Sequence, residues 1–63
     1  MELLTYEQYL EEVKDLREKD PEIFKIAKIT SWADEEIAKN IYFYMKNTGI
    51  HAPQAIWQLY IED

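Results

Sequence analysis

Pro21, Gly49 and Pro53 are the only prolines and the only glycine in this chain of 63 residues, and they cut it into pieces suited to short helices. Proline pushes the residue before it away from helical geometry, and glycine supplies the left-handed residue at which helices end. Between these breaks the apolar residues recur every three or four positions, the period of a helix with one buried face. The chain has no cysteine and a single histidine, His51, so disulfide staples are excluded and no metal or cofactor site is expected. A domain this small buries only about 60% of its unfolded surface and relies on tight helix packing or association when it lacks staples. The expected fold is all-α. It is a single compact bundle of three to four short helices, near 5–19, 21–29, 32–47 and 53–61, which homodimerisation would complete.

Local signals support each helix. Thr5 and Gln8 fit a capping box, with Leu4 and Tyr9 placed as a hydrophobic staple. Tyr6, Tyr9, Leu10, Val13 and Leu16 then form one apolar stripe. Asp20 and Pro21 read as N-cap and first residue of a second helix carrying Ile23, Phe24, Ile26, Ala27 and Ile29. Its β-branched content also suits a strand, but a lone strand would lack a pairing partner. Ser31 is expected to cap the third helix, with Asp34, Glu35 and Glu36 favouring its dipole and Glu35 paired to Lys39. Asn47, Thr48 and Gly49 end that helix, and Pro53 opens the fourth.

Charge is distributed unevenly. Thirteen acids against seven bases give a formal charge of −6, yet residues 37–61 contain no acid at all. A surface of this sign repels nucleic-acid phosphates and anionic membrane leaflets. No apolar segment follows Met1 and Glu2, so no secretory signal is expected, and the longest apolar run, 41–45, falls far short of a membrane span. The expected location is cytoplasmic, with which the lack of cysteine is compatible.

The acid-free half carries more aromatic surface than a short bundle readily hides. Ala33, Ile37, Ile41, Tyr44, Met45 and Thr48 share one face of the third helix, its expected core stripe. Phe43 projects about 200° from Ile41, beside Trp32, Glu36, Lys39, Asn40 and Asn47, on the side that would meet water. In the fourth helix Ile56, Leu59 and Tyr60 form a stripe flanked by Trp57 and Ile61, and only Gln54 and Gln58 are polar. Either the first two helices cover these rings, or some of them form an interface. A dimer core would be both. Trp32, Phe43, Trp57 and Tyr60 are the candidate partner-binding residues, because interface centres are rich in aromatics and poor in charge.

Glu7, Glu11, Asp15 and Glu18 recur one helical turn apart along the first helix. They form either a solvated face or a row that steers a basic partner or imitates a nucleic-acid strand. Catalytic equipment is not evident. Thr5 and Ser31 have capping work, His51 reads as a turn residue or a cap for the end of the third helix, and Glu11 and Glu12 read as exposed surface. No phosphate loop or metal-ligand spacing occurs. Residues 34–39 fit the opening of a helix-turn-helix, but the matching recognition helix has Gln54 and Gln58 and no Lys or Arg near them. The function expected is that of a small acidic, non-enzymatic protein-binding module: a regulator or inhibitor of the kind compact phage or mobile-element genomes encode. DNA mimicry by the acidic row and DNA binding by a helix-turn-helix are the alternatives.

Overall fold

The computed structural model describes residues 3–62, and every element in it is helical. Helix α1 (Tyr6–Lys19) begins at the predicted capping box. Thr5 Oγ1 accepts from the Gln8 amide at 3.2 Å, and Gln8 Oε1 accepts from the Thr5 amide at 2.8 Å. Leu4 and Tyr9 are both buried, as a staple requires. Tyr9 and Val13 lie wholly inside, and Tyr6, Leu10 and Leu16 pack against the same core.

Helix α2 (Glu22–Ile26) is shorter than its apolar pattern suggests. It starts at Glu22, after Pro21, and no side chain caps it. It stops early because Lys28 adopts a left-handed conformation, φ 62°. The Ile29 amide donates to the Phe24 carbonyl at 3.0 Å and the Lys28 amide to the Lys25 carbonyl at 3.1 Å. These two bonds define a Schellman ending, and the usual apolar clasp is present, since Phe24 and Ile29 are both buried. Ile26, expected on the apolar side, points outward and is mostly exposed.

Helix α3 (Asp34–Met45) starts at Asp34, two residues later than expected. Ser31 does not cap it. Ala33 takes the N-cap position in extended geometry, with no side-chain bond. The guanidinium of Arg17 instead binds the carbonyls of Thr30 and Trp32 at 2.9 and 2.8 Å, tying down the loop that precedes the helix. Glu35 and Lys39 form no ion pair among the described residues. The core side of α3 is Ile37, Ala38, Ile41 and Met45. Tyr44, expected among them, sits about 75° from the centre of that arc and is 62% exposed. Ala33 and Thr48 flank the helix and are exposed as well.

Beyond α3, Gly49 takes the predicted positive φ, 75°. Tyr9 fastens this turn to α1, its hydroxyl lying 2.7 Å from the Ile50 carbonyl and 3.3 Å from that of Met45. Helix α4 (Ala52–Ile56) follows, with Ala52 ahead of Pro53 in its first turn. Glu12 of α1 caps it, accepting from the Ala52 amide at 2.8 Å. The predicted α-helix to Ile61 does not continue. From Trp57 to Ile61 the chain widens into a π-helical turn, with the Glu62 amide donating to the Trp57 carbonyl at 2.8 Å. A wider turn rotates each residue less, so Leu59, Tyr60 and Ile61 all stay against the core.

The result is a compact bundle of four short helices. Helix α1 packs on α3 and α4, and α3 packs on α4. Tyr9, Phe24, Ile29, Ile37, Ile41 and Ile56 fill the centre. No helix among the described residues is long and apolar enough to cross a membrane.

Two measurements test this construction. A left-handed residue with a side chain costs about 1–2 kcal/mol, offset in part by the flexibility that glycine adds to the unfolded chain. Lys28→Gly should therefore stabilise the protein by roughly 0.5–1 kcal/mol in urea denaturation, and Lys28→Val should destabilise it. For Tyr9, burial foremost and the nearby Glu12 charge second raise the hydroxyl above its ordinary pKa of 10.0. The folded state thus prefers neutral Tyr9. Its contribution is complete below about pH 10 and is lost as pH climbs through the raised value. Tyr9→Phe should cost about 1–2 kcal/mol at neutral pH and flatten the fall of Tm measured by circular dichroism above pH 10.

Candidate functional site

The only arginine, Arg17, positions the most conspicuous surface of the molecule. Its Nε meets Asp34 Oδ1 at 2.6 Å, the two ends of its fork hold Thr30 and Trp32 by their carbonyls, and its Cζ lies over the Phe24 ring, 4.5 Å from the ring centre. Three directional bonds and a ring contact fix the loop between α2 and α3. Trp32 is thereby held beside the C-terminal π turn, edge-on to Tyr60 with ring centres 5.7 Å apart.

From this pair an aromatic seam runs along the junction of α3 and the π turn. Tyr60 and Leu59 form one wall of a shallow groove of about 300 Å³, and Asn40 and Tyr44 form the other. Tyr44 in turn stacks edge-on with Phe43 at 5.1 Å. The stacked pair of Trp32 and Tyr60 thus faces the stacked pair of Tyr44 and Phe43 across the groove, in one row. Trp32 is 37% exposed and Phe43 68%, so neither is sealed in the core. Trp57, 42% exposed, projects from the π turn, and no other described ring stacks on it. Tyr60 is half-buried, and burial raises its hydroxyl pKa most; the Asn40 side chain works the other way, and Glu36 and Tyr44 add to the rise. Tyr42, third of the consecutive rings, turns back instead onto Tyr6 and Tyr9 of α1.

The acidic row lies on another side. Glu7, Glu11, Asp15 and Glu18 are all exposed on α1, with Asp15 paired to Lys19 at 3.2 Å. Beside them an open groove of about 640 Å³ runs between Leu4, Gln8, Glu11, Glu12, Asp15 and His51. Its rim contains the Glu12–His51 contact, 2.7 Å from Oε2 to Nδ1. His51 therefore stands at the start of α4 and faces a carboxylate, rather than capping the end of α3. Glu12 is half-buried and engaged at both oxygens, which overturns its reading as plain exposed surface. No group of three or more metal-ligating side chains comes together among the described residues.

The roles of Arg17 and Glu12 were not anticipated from sequence, although the signal was present. Arg17 stands four residues after Val13, on the apolar stripe itself, and Glu12 stands three after Tyr9 on its flank. A charge so placed on a core-facing helix needs a partner from another element.

No family model matches this chain, and no characterised protein or solved structure shows significant similarity to it.

Lysine at position 17 would keep the charge and lose the fork. Arg17→Lys should cost about 1–3 kcal/mol in urea denaturation. In a Trp57→Phe background the Trp32 emission should shift to the red before the global transition, because the loop loosens first. A single coincident transition would show that Arg17 is not what holds Trp32.

Proposed function

We propose that this chain is a small non-enzymatic protein-binding module, a regulator or inhibitor that docks its aromatic seam onto a macromolecular partner and also associates with itself. The observation carrying this reading is the row Trp32, Tyr60, Tyr44 and Phe43, half-open to solvent and drawn almost wholly from the acid-free part of the chain. Large rigid rings with few charges among them are what the energetic centres of protein interfaces contain. Arg17 adds to the case, because it anchors Trp32 in advance and so reduces the ordering cost of binding.

The partner this surface suits has an apolar anchor set in basic surroundings. Helix α1 carries its exposed acids along one side, and at physiological salt such a field acts over about 8 Å. It accelerates encounter with a positive surface more than it tightens the final complex.

A second reading has its own observation. Glu7, Glu11, Asp15 and Glu18 all face solvent in single file next to the acidic groove, a spacing of about 5.4 Å per helical turn against about 3.4 Å per phosphate of a DNA strand. Such a row imitates nucleic acid for an enzyme that binds it. Direct DNA binding finds no comparable support, since the exposed residues of α4 and its extension, Pro53, Gln54, Trp57 and Gln58, bring no cation to a phosphate.

The readings separate by mutation and salt. A photo-crosslinking phenylalanine analogue placed at Tyr44 identifies what docks there, and binding kinetics with that partner then compare variants. Trp32→Ala with Tyr44→Ala should raise the dissociation rate at least about tenfold. Neutralising the four acids to Gln and Asn should mainly slow association. If instead the acid changes abolish binding, salt does the same and the ring changes are silent, mimicry is correct and the seam is not the site.

A further inference from the structure

The outer strip of α3, opposite its core side, is self-complementary. At 3.6 residues per turn, Glu36, Lys39, Asn40, Phe43, Lys46 and Asn47 fall within about 120° of arc. All but Asn40 are exposed. Lys39 and Lys46 find no carboxylate partner among the described residues, whereas Lys19 and Lys25 each find one on their own helix. The strip is acidic at its N-terminal end, basic towards its C-terminal end, and carries a large bare ring between them.

We propose that a second copy of this chain packs antiparallel on this strip, placing Glu36 of each copy against Lys46 of the other and Phe43 of each against Lys39 of the other. Both pairs are centred on position 41, so one two-fold axis there satisfies all four contacts together. Parallel packing would set Glu36 on Glu36 and Lys46 on Lys46, and antiparallel packing shifted by a turn would match neither pair. The Lys39 stem and ammonium cover the face of the ring, burying the most exposed aromatic in the protein.

The rest of the molecule permits this approach. The acidic row of α1 lies beyond the core from the strip, since α1 packs on the opposite side of α3. The backbone at Lys46 is still helical, φ −59° and ψ −23°, so the strip continues one residue past Met45. One helix face of this length buries less than the roughly 800 Å² per partner of a standard interface, which makes the association micromolar rather than permanent. This inference rests on the reading of the α3 side as a contact surface, but its strip meets the seam only at Phe43 and Asn40 and leaves Trp32 and Tyr60 free for a different partner.

Sedimentation equilibrium of the purified full chain from about 10 to 500 µM tests it, spanning the affinity expected of a small interface. The wild type should dimerise within this range. Glu36→Lys or Lys46→Glu alone opposes like charges at both symmetric contacts and should weaken the dimer at least tenfold. Glu36→Lys combined with Lys46→Glu re-creates both pairs in reverse and should restore association to within about threefold. Each single change also opposes the α3 dipole, and the double variant opposes it most. Recovery in the double variant therefore cannot arise from recovery of the fold, which circular dichroism tracks in parallel. Phe43→Ala should abolish the dimer while leaving the helical signal intact. A monomer at every concentration, or a dimer indifferent to the single changes or not rescued by the double, overturns the proposal. A monomer whose crosslinked partner still depends on Trp32 and Tyr44 removes this inference alone. A charge-sensitive dimer whose seam variants bind the crosslinked partner as well as wild type removes only the partner-docking reading.

Discussion

The guanidinium of Arg17 is the fixed point about which the two halves of the chain are arranged. It reaches from α1 across the core edge to hold Thr30, Trp32 and Asp34 at once, with the Phe24 ring beneath it. Everything between the Schellman ending of α2 and the start of α3 is shaped by it. A protein of this size has little apolar area with which to fix a loop, and a charged fork that answers several carbonyls does so without adding core volume. The carbonyls of Thr30 and Trp32 and the first residue of α3, Asp34, are all held by this single side chain.

Two further polar ties complete the frame, and both also start on α1. Tyr9 brings a buried hydroxyl to the carbonyls around Gly49, and Glu12 brings a carboxylate to the first amide of α4. Together with Arg17 they join α1 to each later break in the chain. No buried side-chain polar atom among the described residues is left without a partner. The acidic helix is therefore the organising element of the bundle, and the acid-free half is draped over it. That arrangement leaves the far side of α3 and the π turn with nothing of the same chain to cover them, which is why the rings there stay open.

The parts of the fold encoded within a few residues were readable in the sequence. The capping box at Thr5, the all-helical character, the left-handed Gly49 and the outward Phe43 are set by local chemistry and by periodicity. The parts set by contacts between distant residues were not. Ser31 looks like a cap because nothing local reveals that Arg17 holds the neighbouring carbonyls. Lys28 looks like the middle of a helix because a left-handed lysine is forced by the clasp of Phe24 on Ile29, not by its own preference. Tyr44 looks like core because an ideal repeat does not say how wide the buried arc is. The four candidate anchors fare unevenly. Trp32, Phe43 and Trp57 are open to solvent, Tyr60 is half-covered, and the seam itself needs Tyr44 to be continuous.

The π turn at Trp57–Ile61 carries a meaning beyond local geometry. A turn closed over five residues instead of four is an ordinary helix with one surplus residue accommodated. Were the same five residues to close as an ordinary α-helix, each step would rotate further, to about 100°, and Tyr60 would swing out of register with Trp32. The phase of this last segment, more than its composition, decides whether the aromatic row exists. Sequence changes that decide between the wide turn and the ordinary one therefore have the greatest leverage over what the protein can touch.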